Sequence, residues 1–200
     1  MRTIPTRADG FALALEQVKA VIVRPEFDLE EAPAPSRLAP SSLALTLDRS
    51  DPEAVEASGR FVLLHDPDGV DEWEGSFRAV VFVRAELEAD LIDEQMLHDV
   101  GWSWILETLA ARGCHATQLG GTVTRTAGRS FGTLADRPAE GFVEIRASWT
   151  PVEAEDTGEV LDDLGRHVEA WVDLLAQASG LPPVVPGVAS VTGRRRQPRR

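Results

Sequence analysis

The sequence predicts an α+β fold: an antiparallel sheet of about five strands with three helices, in the order α-β-β-β-α-β-β-α, packed as a two-layer sandwich. Three observations carry that prediction. Apolar stripes with helical spacing recur at 9–22, 91–112 and 158–179. Between them lie segments of period two. The sharpest is 141–150, where Val143, Ile145, Ala147 and Trp149 alternate with Glu144, Arg146 and Ser148. The links between the first three such segments are too short for a helical crossover, so those neighbours should form an antiparallel meander.

The first helix opens at Asp9, a candidate N-cap. Phe11, Leu15, Val18 and Ile22 then fall on one stripe. Pro25 ends it. Pro25, Pro33, Pro35 and Pro40, set among acids, make 25–41 a long irregular connection, expected to lie as a strap over the sheet. In the first strand Leu43, Leu45 and Leu47 alternate with Ser42, Ala44 and Thr46. Residues 60–65 form a short apolar second strand, and 76–85 the strongest, third one. Between them, His65-Asp66-Pro67-Asp68-Gly69 carries turn chemistry.

The second helix, roughly 91–112, sets Trp102, Ile105, Leu106 and Leu109 on a stripe. Gly101 is a candidate break in it and Gly113 its stop. Gly120–Ala127 is the fourth strand. The fifth, at 141–150, ends at Pro151. The third helix, about 158–179, has Thr157 as candidate cap and a stripe through Leu161, Leu164, Val168, Trp171, Leu175 and Ala178. Gly180 and Pro182-Pro183 stop it. One domain over 9–190 follows, with a disordered Arg-rich tail at 191–200.

Charge narrows the partners. The chain carries −13, and five of its 20 basic residues are Arg194, Arg195, Arg196, Arg199 and Arg200. Without them 15 cations face 33 acids, so residues 1–193 carry −18. Such a body repels nucleic acid and anionic membranes, which leaves the 194–200 tail as the one place nucleic acid could touch. Cys114 is the single cysteine, so no intramolecular disulfide or cysteine-rich zinc site can form, which suits a reducing compartment. The first residues, Met-Arg-Thr-Ile-Pro-Thr-Arg, are not followed by the apolar segment of a signal peptide. No apolar run reaches the roughly 18 residues of a membrane span. These features together predict a cytoplasmic protein.

The most distinctive stretch is Gly120 to Gly132. Thr122, Thr124 and Thr126 share one face of its strand, glycines punctuate both ends, and Arg125 and Arg129 add positive charge. A cross-strand threonine face is one reading. The other is an anion site built from Arg125, Arg129, Gly128 and Thr124. Gly128-Arg129-Ser130-Phe131-Gly132 also matches the Gly-x-Ser-x-Gly elbow of serine hydrolases, with Asp156, Asp162, Asp163 and then His167 downstream. That elbow needs a parallel strand before it and a helix after it, whereas a loop into another strand is predicted here. His65, Asp66, Asp68, Asp71, Glu72 and Glu74 crowd one loop but lack the full ligand set of a calcium loop, so no metal is expected. No cofactor fingerprint is present. Of five tryptophans, Trp73 and Trp104 fall outside the core stripes and are candidate partner-binding residues.

The order of elements resembles that of the type III secretion chaperone-like fold, whose members are usually dimers that bind other proteins. More specifically, Leu-Leu-His-Asp-Pro (63–67), Val-Gly-Trp-Ser-Trp (100–104), Gly-Gly-Thr-Val-Thr-Arg-Thr (120–126), Arg-Ala-Ser-Trp-Thr-Pro (146–151) and Glu-Ala-Trp-Val-Asp-Leu-Leu (169–175) resemble an actinobacterial family of domain-of-unknown-function proteins over about residues 9–190. The resemblance implies a bacterial cytoplasmic setting and brings no catalytic residues. The expected function is therefore a non-catalytic domain that binds another protein or a second copy of itself. The alternatives are binding or turnover of a small anionic or phosphorylated ligand at Gly120–Gly132, and hydrolysis at Ser130.

Overall fold

The computed structural model describes residues 9–51, 53–88, 91–92, 94–153 and 164–183. Helix α1 (Asp9–Lys19) leads into strands β1 (Phe27–Ala32), β2 (Ser41–Arg49), β3 (Ala57–Val70) and β4 (Gly75–Glu86). Helix α2 (Leu97–Ala111) follows, then β5 (Ala116–Gly128), a 3₁₀ turn (Gly132–Leu134), β6 (Glu140–Pro151) and α3 (Leu164–Ala178). The strands make one antiparallel sheet in the order β1-β2-β3-β4-β6-β5. The fold is α+β with three helices, and the sheet has six strands rather than about five.

The extra strand is β1, inside the segment expected to be irregular. Pro25 and Pro33 lie just outside its ends, so no ladder hydrogen bond is lost to them. Phe27 is buried and Leu29 sits opposite Leu47, a short alternation that the surrounding acids and prolines obscure. A second difference concerns His65–Gly69. These residues do not form the turn; β3 runs on to Val70 through an irregular register, and the reversal is made by Asp71–Glu74, where Glu74 takes φ 53°. Helix α1 stops at Lys19, leaving Ile22 exposed, and α2 starts at Leu97 after a run of turns. Thr157, the 158–163 part of the third helix, Asp156, Asp162, Asp163 and the 191–200 tail lie outside the described residues.

All three helices cover one face of the sheet. Phe61, Leu63, Val81, Val83, Val143, Ile145 and Trp149 point into that layer and are buried, as their period-two spacing requires. Trp171 of α3 is fully buried over Gly59, where a Cβ would lie 3.0 Å from its Cζ2, and its Nε1 donates to the Phe82 carbonyl at 3.2 Å. Gly101 does not break α2. It lets the helix approach β5, because a Cβ there would stand 2.9 Å from Val123 Cγ1. Beside these contacts Trp149 Nε1 donates to His167 Nδ1 at 3.0 Å, both residues being fully buried.

Candidate functional site

With the helices on one side, strand alternation sends the other set of side chains to a face that no helix among the described residues covers. The register turns that set into rows across the sheet. One row runs Thr46, Arg60, Phe82, Arg146, Thr122; its neighbour runs Ala44, Val62, Val80, Ser148, Gly120. Val62, Val80, Ser148 and Gly120 of the second row line a shallow groove of about 410 Å³, while Ala44 at its end is buried. Val62 and Val80 supply apolar floor, Arg60 and Arg146 flank it, and no carboxylate lines it. Gly120 leaves the β5 end open, having no heavy atom within 4 Å of where a Cβ would be.

The charge of this face is divided, its β3, β4, β6 and β5 part running against the charge of the chain and its β1–β2 margin following it. On β3, β4, β6 and β5 the regular register exposes Arg60, Arg78, Arg84 and Arg146 against Glu86, Glu140 and Glu144. Four cations against three acids leave +1 in a protein of −13. Acids gather instead at the β1–β2 margin, where Asp28, Glu30 and Asp48 share the outer face.

Each arginine is held in place. Arg60 Nη2 donates to the Pro33 carbonyl at 2.8 Å, tying the 33–40 segment to the margin of the face. The Arg84 guanidinium lies 3.9 Å from the Phe142 ring centroid and that of Arg146 lies 5.4 Å from Phe82, cation–π contacts that shield both rings. Glu144 links the two, 3.7 Å from Arg84 Nη1 and 2.7 Å from Arg146 Nη2. Arg78 donates to Ser148 Oγ at 2.6 Å, Thr150 Oγ1 at 3.1 Å and the Gln118 carbonyl at 3.0 Å, and burial draws its guanidinium below its usual range. Arg146 keeps an exposed head, its side chain 65% accessible.

The residues singled out in the sequence are dispersed. Arg125 faces the helix side, where Nη1 donates to the carbonyls of Ile92 at 2.8 Å and Glu94 at 3.2 Å; it fastens the segment before α2. Gly128 ends β5 opposite Glu140, and Arg129 follows in the loop beyond it; neither Arg125 nor Arg129 lines the outer-face groove or the concavity between α2 and α3. Thr124 is exposed on the outer face, opposite Glu144. Ser130 is followed by a 3₁₀ turn and an antiparallel strand, not by the helix a nucleophile elbow requires. Trp73 is half-buried in the β3–β4 turn, its carbonyl accepting from Thr150 Oγ1 at 2.6 Å, and Trp104 packs against the core. Among the described residues no three His, Cys, Asp or Glu gather to hold a metal. Arg60, Val80 and Arg146 were missed. Their alternation was visible, but only the cross-strand register places them together.

Two further polar sites are structural. Glu153 Oε1 accepts from Ser76 N at 2.6 Å, Ser76 Oγ at 2.9 Å and Phe77 N at 3.3 Å, clamping the start of β4. Nearby, His65 is buried between Phe11 and Phe77. Desolvation pulls its pKa below the usual histidine value, against the opposing fields of Glu153 and Asp66. On the helix side a concavity of about 570 Å³ between α2 and α3 is crossed by Arg112, which donates to Asp173 at 2.6 and 3.0 Å and to Glu169 at 2.9 Å.

Residues 7–189 match the family described as a protein of unknown function, DUF3000. No curated protein and no solved structure matches the chain. No helix among the described residues is long and apolar enough to cross a membrane.

Proposed function

The chain belongs to the DUF3000 family, whose description names no activity, and we propose from its own surfaces that it is a non-catalytic protein-binding domain. The partner docks on the bare outer face of the sheet. The observation that carries this reading is the groove over Val62 and Val80, flanked by Arg60 and Arg146 in an otherwise acidic protein. A mixed apolar and cationic surface of this kind fits a partner segment that presents carboxylates beside apolar side chains. The domain is read as cytoplasmic, and its family as actinobacterial, on the sequence features given above.

The test compares capture from native lysate by the wild-type chain and by Arg146→Glu and Val80→Asp, with amide exchange recorded on the isolated complex. A captured protein that both variants lose, and that protects β3, β4 and β6, supports outer-face docking. Capture that both variants retain, or protection confined to the helices, sinks it. A second reading has its own support in the Thr122 and Ser148 residues lining the same groove: a small anionic ligand held between Arg60 and Arg146. Phosphate or a phosphorylated compound that raises Tm in wild type but not in Arg146→Glu would favour the ligand.

A further inference from the structure

The two edges of the sheet are finished differently. β1 is 6 residues long and carries Asp28, Glu30 and Glu31, charges of the kind that keep a bare edge from pairing. β5 is 13 residues long, pairs with β6 on one side and, among the described residues, has no strand on the other. None of its residues is buried, no proline or lysine interrupts it, and Arg125 is its only charge. A long edge without such guards is a template for another strand.

The sequence of β5 says which strand fits. Beyond an irregularity between Thr117 and Gly120, it keeps continuous register with β6 from Gly120 to Gly128. That run reads Gly-Gly-Thr-Val-Thr-Arg-Thr-Ala-Gly, close to a palindrome about Thr124. Gly120 mirrors Gly128 and Thr122 mirrors Thr126; Gly121 and Ala127 differ by one methyl, and Val123 and Arg125 differ in kind. A palindromic strand matches its own copy when the two run antiparallel. We infer that two copies of this chain pair β5 to β5 about Thr124, joining their sheets into one.

The geometry restricts the pairing further. Two like strands paired antiparallel are related by a twofold axis perpendicular to the sheet, so both outer faces point the same way. The axis must pass through a residue pair, because a slip of one would set outer-face side chains against inner-face ones. Centred on Thr124, that residue meets the partner's Thr124 and Thr122 meets the partner's Thr126, so threonine faces threonine in the central outer-face rows. On the inner face Val123 meets the partner's Arg125. Centring on Arg125 would oppose two like charges, and centring on Val123 would run the ladder into the irregularity before Gly120. The inference is independent of the docking reading, since it uses the edge of the sheet and not its face.

The test uses the full chain with Cys114→Ser. Facing residues of antiparallel strands sit about 4.5–5.5 Å apart between Cα atoms, within reach of a disulfide. Mild oxidation should therefore cross-link the Thr124→Cys chain and leave the Asp28→Cys chain monomeric on denaturing gels. Sedimentation should give wild type twice the chain mass. Thr124→Lys, which opposes two ammonium groups on the axis, should give a folded monomer with an unchanged circular-dichroism spectrum. Arg146→Glu should stay dimeric, which separates this inference from outer-face docking. A monomeric wild type, a dimer that survives Thr124→Lys, or equal cross-linking at position 28 overturns the proposal. So does a monomer whose β5 amides become protected only in a complex with a different protein.

Discussion

Replacing Gly101 by alanine sets two effects of opposite sign against each other. Glycine in a helix interior costs about 1 kcal/mol relative to alanine, so propensity alone predicts that Gly101→Ala stabilises the protein. The new methyl would stand 2.9 Å from Val123 Cγ1, with Val123 Cγ2 at 3.6 Å and Ile145 Cδ1 at 3.7 Å. The last two are ordinary contacts, but the first is an overlap. Val123 cannot swing away cheaply, because a β-branched side chain is stiff at χ1. Relief requires α2 to lift from β5, and overpacking of this kind costs about 1–3 kcal/mol. The overlap should win, leaving Gly101→Ala destabilised by about 1 kcal/mol in urea unfolding with an unchanged m-value. Val123→Ala alone should cost about 1–2 kcal/mol by lost burial. In that background the clash is gone, so adding Gly101→Ala should stabilise by about 1 kcal/mol. The cycle should thus show a favourable coupling of about 2 kcal/mol. A stabilised Gly101→Ala single variant, or a coupling near zero, would refute the claim that α2 packs on β5 at this glycine.

The remaining predictions concern groups outside the groove. Because burial lowers the pKa of His65 in the folded state, the unfolded chain binds the proton more readily; stability should fall as pH drops through the ordinary histidine range, and His65→Leu should flatten that slope in thermal melts at pH 5 to 7. Glu153→Ala removes a carboxylate that accepts three hydrogen bonds from Ser76 and Phe77, so it should cost about 2 kcal/mol and speed amide exchange at the start of β4. Arg125→Ala should lower stability by about 1–2 kcal/mol through loss of its bonds to Ile92 and Glu94, while leaving the partner capture of the outer face intact. Arg112→Met should cost no more than about 1 kcal/mol despite its pairs with Asp173 and Glu169, because its side chain is 34% accessible and water screens the charges.

Much of the fold was legible because burial on one face imposes a period. Val143, Ile145, Ala147 and Trp149 could hardly be anything but one side of a strand, and Leu164, Val168, Trp171 and Leu175 one side of a helix. What was misread has local causes. β1 is six residues between prolines, too short for an alternation to stand out. Asp-Pro-Asp-Gly at 66–69 is ordinary turn chemistry, yet the irregular ladder absorbs it and the chain reverses at Asp71–Glu74. The site was less legible still. Alternation places Arg78, Val80, Phe82 and Arg84 on one face of β4 and Glu144, Arg146 and Ser148 on one face of β6. No periodicity says that Phe82 stands opposite Arg146, or Val80 opposite Ser148. That relation is a register, set by pairing between segments some sixty positions apart. The stretch that stood out, Gly120–Gly132, contributes its glycines and threonines to the surface while Arg125 turns inward to the segment before α2.

An uncovered sheet face with two phenylalanines would ordinarily be an aggregation liability. Here the rings of Phe82 and Phe142 carry guanidinium heads, and Glu144 holds those heads in place. The arrangement keeps the apolar area screened from other copies while leaving it one side-chain movement away from exposure. Val80 is 38% accessible, so what a partner can bury at the floor alone is modest. A partner that gives carboxylates to Arg84 and Arg146 replaces Glu144 as their counterion and moves the heads off the rings. It then gains the faces of Phe82 and Phe142 as additional contact area. On this arrangement charge and apolar contact are coupled through the same two arginines: an uncharged apolar surface would find the rings capped, and an acidic surface without apolar side chains would uncover them to water.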